Sequence, residues 1–218
     1  MTIKTVFGIV LCLVFVSCSN SKMQSTIVCF GDSITSGYGV EKTAAYPALL
    51  QDLVKTSVIN SGLEGDTAHD AIKRVKKDVL RYNPTVVIIE FGANDYMNSV
   101  FKNCTVDVNE IQTSLRNIIK KINTNKTKII LAKFYNFEMA EYMLGGNMEL
   151  YNFFEIMYTN LSNEFDIVVV DNIWDGIWGN KEFMNPDKLH PNAAGYEKMA
   201  IAYYEILNAA NSSPTRLP

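Results

Sequence analysis

Histidine is nearly absent from this chain: His69 and His190 are the only two in 218 residues. Two separated histidines among scattered carboxylates make no ligand cluster for a catalytic metal. They also leave just two positions from which an imidazole could serve as a base at neutral pH. Cysteine is scarce as well. Cys12, Cys18, Cys29 and Cys104 offer neither the spacing of a zinc site nor the framework of a disulfide-stapled domain. Positive charge does not dominate, since the formal net charge is −3, so no overall field draws in nucleic acid. No apolar run is long enough to span a bilayer comfortably, and the most extended, Val6 to Val16, falls well short of the roughly 20 residues required. No repeat, low-complexity block or internal linker divides the sequence. A composition that is 48% hydrophobic and 20% charged suits one domain with a well-covered core.

The apolar run near the start has its own meaning. It follows a short, weakly basic stretch, Thr2 to Lys4, and ends at Ser17-Cys18-Ser19, the order of features in a secretory signal. Residues 1–17 are expected to be that signal, 18–24 a polar tether, 25–210 the folded domain and 211–218 a frayed tail. Phe15-Val16-Ser17-Cys18 resembles the lipobox of bacterial lipoproteins, in which the cysteine is acylated and becomes the new N-terminus. The resemblance implies an exported protein anchored in a membrane of the bacterial cell envelope through Cys18. Ordinary cleavage, giving a periplasmic or secreted protein, is the alternative. Cys29 lies within an apolar run and reads as a small buried hydrophobe. Cys104 lies in a polar loop, and a bridge between the two is not expected.

From residue 26 onward, short β-rich runs alternate with helical patterns. Strands are expected at 26–30, 57–60, 84–91, 128–133 and 166–170. Helical spacing carries five stretches: Tyr46 to Val54, Ala68 to Val79, Val108 to Ile122, Leu150 to Leu161 and Tyr196 to Leu207. Strands that are apolar along their whole length and separated by helices belong in a parallel sheet covered on both faces. The expected fold is therefore a three-layer α/β/α sandwich around a mostly parallel five-stranded sheet. In such sheets ligands bind beyond the carboxyl ends of the strands, which directs attention to the loops.

Those loops carry four short blocks. Gly31-Asp32-Ser33 follows the first strand, Asn60 through Thr67 the second, and Gly92-Ala93-Asn94-Asp95 the third; Asp187-Lys188-Leu189-His190-Pro191 comes late. A serine two residues beyond a strand-ending glycine sits on a tight strand-to-helix turn, where its N–H can stabilise negative charge. A serine hydroxyl needs a base to take its proton as it attacks. His190 lies three residues after Asp187, so one turn can present both side chains and the carboxylate can fix the tautomer. His69, at a helix start beside Asp70, reads as a solvated surface residue.

Taken together and in this order, the blocks resemble those of the SGNH/GDSL hydrolase family, specifically its bacterial thioesterase/lysophospholipase/arylesterase branch. The likeness spans nearly the whole chain after the signal. It implies a flavodoxin-like fold, no cofactor or metal, and hydrolysis of a carboxylic ester or thioester. It also implies Ser33, His190 and Asp187 as the triad and an oxyanion hole formed by the Ser33 and Gly65 N–H groups with the Asn94 side chain. The second block departs from the pattern at Gly62, which leaves two candidate glycines; Gly65 is preferred because Asp66-Thr67 and a helix start follow it. Asp32 is expected to brace the nucleophile turn and Asp95 to support a loop.

Aromatic residues near these loops suggest a substrate wall: Tyr38, Phe134 and Tyr135 after strands, and Trp174 and Trp178 ahead of the acid–base loop. Ordinary packing over the sheet is the competing reading for each. The expected substrate is a small-molecule or lipid acyl ester. A carbohydrate O-acetyl esterase with the same triad, or a surface lipoprotein that only binds a ligand, are the rival functions. No protein partner can be inferred.

Overall fold

In the computed structural model, which describes residues 25–122, 127–143, 145 and 147–212, the five apolar runs form one sheet. The strands are β1 (Thr26–Gly31), β2 (Ser57–Gly62), β3 (Val86–Glu90), β4 (Lys128–Ala132) and β5 (Ile167–Val170). Their order is β2-β1-β3-β4-β5, and every neighbouring pair is parallel. The sheet is thus wholly parallel where a mostly parallel one was expected. Burial on both faces explains why β1, β3 and β4 are apolar almost throughout: Val28, Cys29, Phe30, Val87, Ile88, Ile89, Ile130 and Leu131 have no accessible surface.

Helices cover both faces. On one side α2 (Tyr46–Val54) packs against α9 (Ala193–Ser212). On the other, α6 (Val108–Ile122) packs against α3 (Ala68–Ala71) and α8 (Met148–Glu164). The stripe Ile111, Leu115, Ile118, Ile119 and Ile122 is buried as its spacing requires. In α8, Phe154, Met157, Tyr158 and Leu161 are buried, whereas Phe153 is half exposed. The stretch Ala68 to Val79 keeps its helical burial but not its continuity. The N–H groups of Lys73 and Arg74 bond three residues back, tightening the chain between α3 and α4 (Val75–Asp78). Three helices fall in segments that the periodicity left as loops: α1 (Ser33–Ser36), α5 (Ala93–Phe101) and α7 (Phe137–Met143).

The strand order places the topological switch between β1 and β3, so the loops leaving them flank one crevice. The β2 loop lies on the other side of β1. Residues 171–192 leave β5 at the far edge and lead into α9, with Ile173, Trp174 and Ile177 buried along the way. Cys29 is buried and its thiol is pushed up to about 12 by that burial. Cys104 is exposed, and the two thiols are free. Cys18, the signal, the tether and residues 213–218 lie outside the described residues, while helix α9 runs to Ser212, into the expected tail.

Candidate active site

Ser33 is the first residue of α1, on the sharp turn out of β1. Asp32 caps that helix, its Oδ1 accepting the Ile34 N–H at 3.0 Å. Asp187 and His190 occupy a closed turn. Asp187 Oδ1 accepts the N–H groups of Leu189 and His190 at 2.9 and 3.0 Å. Asn185 braces the same turn, donating its backbone N–H to the His190 carbonyl and its side-chain amide to the Pro191 carbonyl. Asn192 caps α9, accepting the Gly195 N–H at 3.1 Å.

These two turns meet. His190 Nε2 lies 2.9 Å from Ser33 Oγ, and His190 Nδ1 lies 2.8 Å from Asp187 Oδ2. Partial burial raises the Asp187 carboxyl, but the N–H groups of His190 and Leu189 and the imidazole outweigh it and hold the group below the usual carboxylate range. The imidazole side chain is only 12% exposed, and the Tyr38 ring lies against it with centroids 4.3 Å apart.

Of the two candidate glycines, Gly62 ends β2, and Gly65 sits in the turn Leu63–Asp66, closed by the Asp66 N–H on the Leu63 carbonyl. Gly65 adopts φ +72°, where a side chain is strained whatever the space. Asn94 lies in the first turn of α5, and both amide hydrogens are engaged: one on Asp32 Oδ2 at 3.1 Å, the other on the Asp66 carbonyl at 3.0 Å. Asn94 therefore cross-links the nucleophile turn to the Gly65 turn. An oxyanion bound there would share one of these hydrogens. Asp95 supports the same loop, its Oδ2 accepting the Ala68 N–H at 2.9 Å.

Behind Ser33 lies a buried polar layer that the sequence did not announce. Asp32 is 1% exposed and Glu90, the last residue of β3, 2% exposed. Glu90 Oε2 accepts from the Thr35 hydroxyl at 3.2 Å, while Oε1 has no hydrogen-bond partner among the described residues. Burial raises Asp32 to about 7, with the charges of Asp95 and Asp66 adding to it. Burial and the nearby Asp32 charge push Glu90 well above the ordinary range. The signal available beforehand was a carboxylate ending an otherwise apolar parallel strand.

Three of the expected wall aromatics are placed elsewhere. Phe134, Tyr135 and Trp174 are only 2–3% exposed. Phe134 packs edge-on against Tyr135 and Phe154 and fills the space over Gly92, where an added Cβ would lie 2.6 Å from its ring. Tyr135 donates to Glu155 Oε1 at 2.9 Å. These side chains fill the layer beneath the loops, because aromatic rings that follow a buried strand complete its packing. Tyr38 and Trp178 do reach grooves. Trp178, with Met184, Pro186 and Lys188, lines one of about 550 Å³ beside the acid–base turn. Tyr38 lines another of about 480 Å³ that extends past Asn60 to Glu64, next to Gly65. His69 is exposed beside Glu110, as a surface histidine would be.

A wholly parallel sheet with a serine, an imidazole and a carboxylate in line at its carboxyl rim is the architecture of an SGNH-type hydrolase. The chain belongs to the GDSL-like lipase/acylhydrolase family, whose model matches residues 29–198, and so to a group of ester-bond hydrolases. It is similar to thioesterase 1/protease 1/lysophospholipase L1 of Escherichia coli strain K12, at 28% identity over 77% of this chain and 76% of that one. It is also 26% identical to the lipoprotein YqeF of Bacillus subtilis, over 76% of this chain and 78% of that one. Among solved structures, the psychrotrophic esterase EstA from Pseudoalteromonas, inhibited by monoethylphosphonate, shares the fold. Its TM-score is 0.74 at 24% identity, covering 87% of this chain and all of that one.

Proposed function

We propose that this chain hydrolyses carboxylic esters or thioesters through Ser33, His190 and Asp187 by way of an acyl-enzyme. The reading rests on one observation: an imidazole whose two nitrogens lie 2.9 Å from the Ser33 hydroxyl and 2.8 Å from the Asp187 carboxylate. His190 Nε2 takes the proton as Ser33 Oγ bonds to the carbonyl carbon, and Asp187 stabilises the imidazolium that forms. The resulting oxyanion is met by the Ser33 and Gly65 N–H groups and by the Asn94 amide. Collapse breaks the bond to the alcohol or thiol, which leaves with the proton from His190. Water then repeats the sequence on the acyl-enzyme, releasing the acid and restoring Ser33.

A fluorophosphonate probe tests the nucleophile. Wild type is expected to be labelled and Ser33→Ala to be silent; equal labelling of both sinks the triad. Turnover of p-nitrophenyl esters from acetyl to palmitoyl, beside acetylated sugars, identifies the acyl group. Activity confined to acetylated sugars would replace the acyl esterase with a carbohydrate deacetylase. Export and acylation at Cys18 are part of the proposal, supported by Ser17-Cys18 at the end of the apolar run and by a lipoprotein among the relatives. Mass spectrometry of the processed protein decides it, since an unmodified N-terminus downstream of Cys18 excludes the anchor.

A further inference from the structure

The oxyanion site proposed above requires two backbone N–H groups from different loops to converge on one oxygen. The Gly65 turn closes on itself, and no atom of the described residues lies within 4 Å of where a Cβ would sit on Gly65. The Leu63 N–H on the Gly31 carbonyl at 3.0 Å joins the roots of the two loops, and Asn94 adds the side-chain cross-link described above. A second side chain spans the same gap.

Arg74 extends from the tightened segment between α3 and α4 and is 14% exposed. Its Nε donates to Asp66 Oδ2 at 2.6 Å, and one terminal nitrogen donates to the Gly31 carbonyl at 2.9 Å. The other terminal nitrogen donates to the Ser61 carbonyl at 2.8 Å and to Asp78 Oδ2 at 3.3 Å. The guanidinium carbon lies over the Phe30 ring, 4.4 Å from its centroid. Gly31 is two residues before Ser33 and Asp66 is one residue after Gly65, so one rigid fork ties the root of each donor.

We infer that Arg74 is a positioning residue of the oxyanion site, fixing the separation of the Ser33 and Gly65 N–H groups without touching substrate. The inference rests on the triad reading above. A lysine carries the same charge but cannot present donors in the planar fork that spans Asp66, Gly31 and Ser61. Displacements of about 1 Å at a reacting centre can cost on the order of 10²-fold in rate.

The test compares Arg74→Lys and Asp66→Asn with Leu161→Ala, a buried substitution near the end of α8 that leads into β5, at the sheet edge opposite the site. Each is assayed with p-nitrophenyl butyrate at a temperature where its melting curve shows it folded. For the first two variants kcat is expected to fall by about 10–100-fold, with KM within about twofold of wild type. Leu161→Ala, although less stable, is expected to keep kcat within about threefold. Folded Arg74→Lys and Asp66→Asn with kcat near wild type would overturn the inference, as would an equal loss in Leu161→Ala. Fluorophosphonate labelling separates the two failures. Labelling that depends on Ser33, with unchanged kcat in the variants, removes only the role of Arg74; labelling that persists in Ser33→Ala removes the triad.

Discussion

Asn94→Ala should do two separable kinds of damage, and their sizes follow from its two bonds. In the resting structure the amide donates to a buried carboxylate, Asp32 Oδ2, and to a backbone carbonyl, Asp66 O. A hydrogen bond to a charged group contributes about 1.5–3 kcal/mol and a neutral one about 0.5–1.5; because burial keeps Asp32 partly protonated near neutral pH, removing both should cost about 1–4.5 kcal/mol of stability. Losing one donor from an oxyanion hole should lower kcat by about 10²–10³. The Asp32 carboxyl, held down in part by this amide, should move further up. Denaturant titration measures the first effect, and kcat on a short-chain ester under conditions where the variant is folded measures the second. A stability loss well under about 1 kcal/mol would mean that the amide is no cross-link. The expected stability loss together with near-wild-type kcat would remove Asn94 from the oxyanion site and leave it a purely structural tie.

Asp187→Asn keeps an Oδ1 for the Leu189 and His190 N–H groups but cannot hold the imidazole in its working tautomer. Its kcat should fall by about 10³–10⁴ with little change in melting temperature, and a large melting shift would show that the carboxylate is needed for the turn itself. Trp174→Ala should lose about 3–5 kcal/mol as a buried aromatic truncation, whereas Trp178→Ala should lose far less and change the ester preference instead; the opposite pattern in denaturant melts would contradict the packing described. Glu90→Gln addresses pH. A carboxyl raised by burial stays protonated in the fold but ionises in the unfolded chain, so rising pH favours unfolding. The variant should therefore gain stability relative to wild type as pH increases from about 5 to about 9, and a flat difference across that range would refute the buried neutral acid.

The strands were legible because a parallel sheet buried on both faces permits hardly any polar side chain, so β1, β3 and β4 announce themselves as unbroken apolar runs. The proposed reacting groups were legible for a related reason. Ser33, Asn94 and the Asp187–His190 pair stand just outside those runs, in loops where packing does not dictate residue type. The aromatics were less legible. Phe134 and Trp174 share their composition with any ligand wall, and only the third dimension tells that Phe134 lies over Gly92 while Trp178 opens onto a groove. The helix α5 was hidden by its own first residues, since Gly92-Ala93-Asn94-Asp95 carries turn-forming residues that the structure uses as a helix start. Arg74 gave no local sign at all. Its partners, Gly31, Ser61, Asp66 and Asp78, are spread over three elements.

Why Asp187 and His190 come last in the chain follows from the topology. The β1 and β3 loops meet at the switch in strand order, so Ser33 and Asn94 become neighbours without any long connection. No strand loop on the β5 side can reach that crevice, because β3 and β4 intervene. The chain solves this with residues 171–192, which bury Ile173, Trp174 and Ile177 before presenting His190 and then enter α9, packed against α2. The long connection has to be anchored by apolar contacts, since a free loop of that length would give His190 no fixed position and the 2.9 Å approach to Ser33 no permanence. Trp174, which looked like substrate wall, thus lies beneath, holding in place the segment that carries His190.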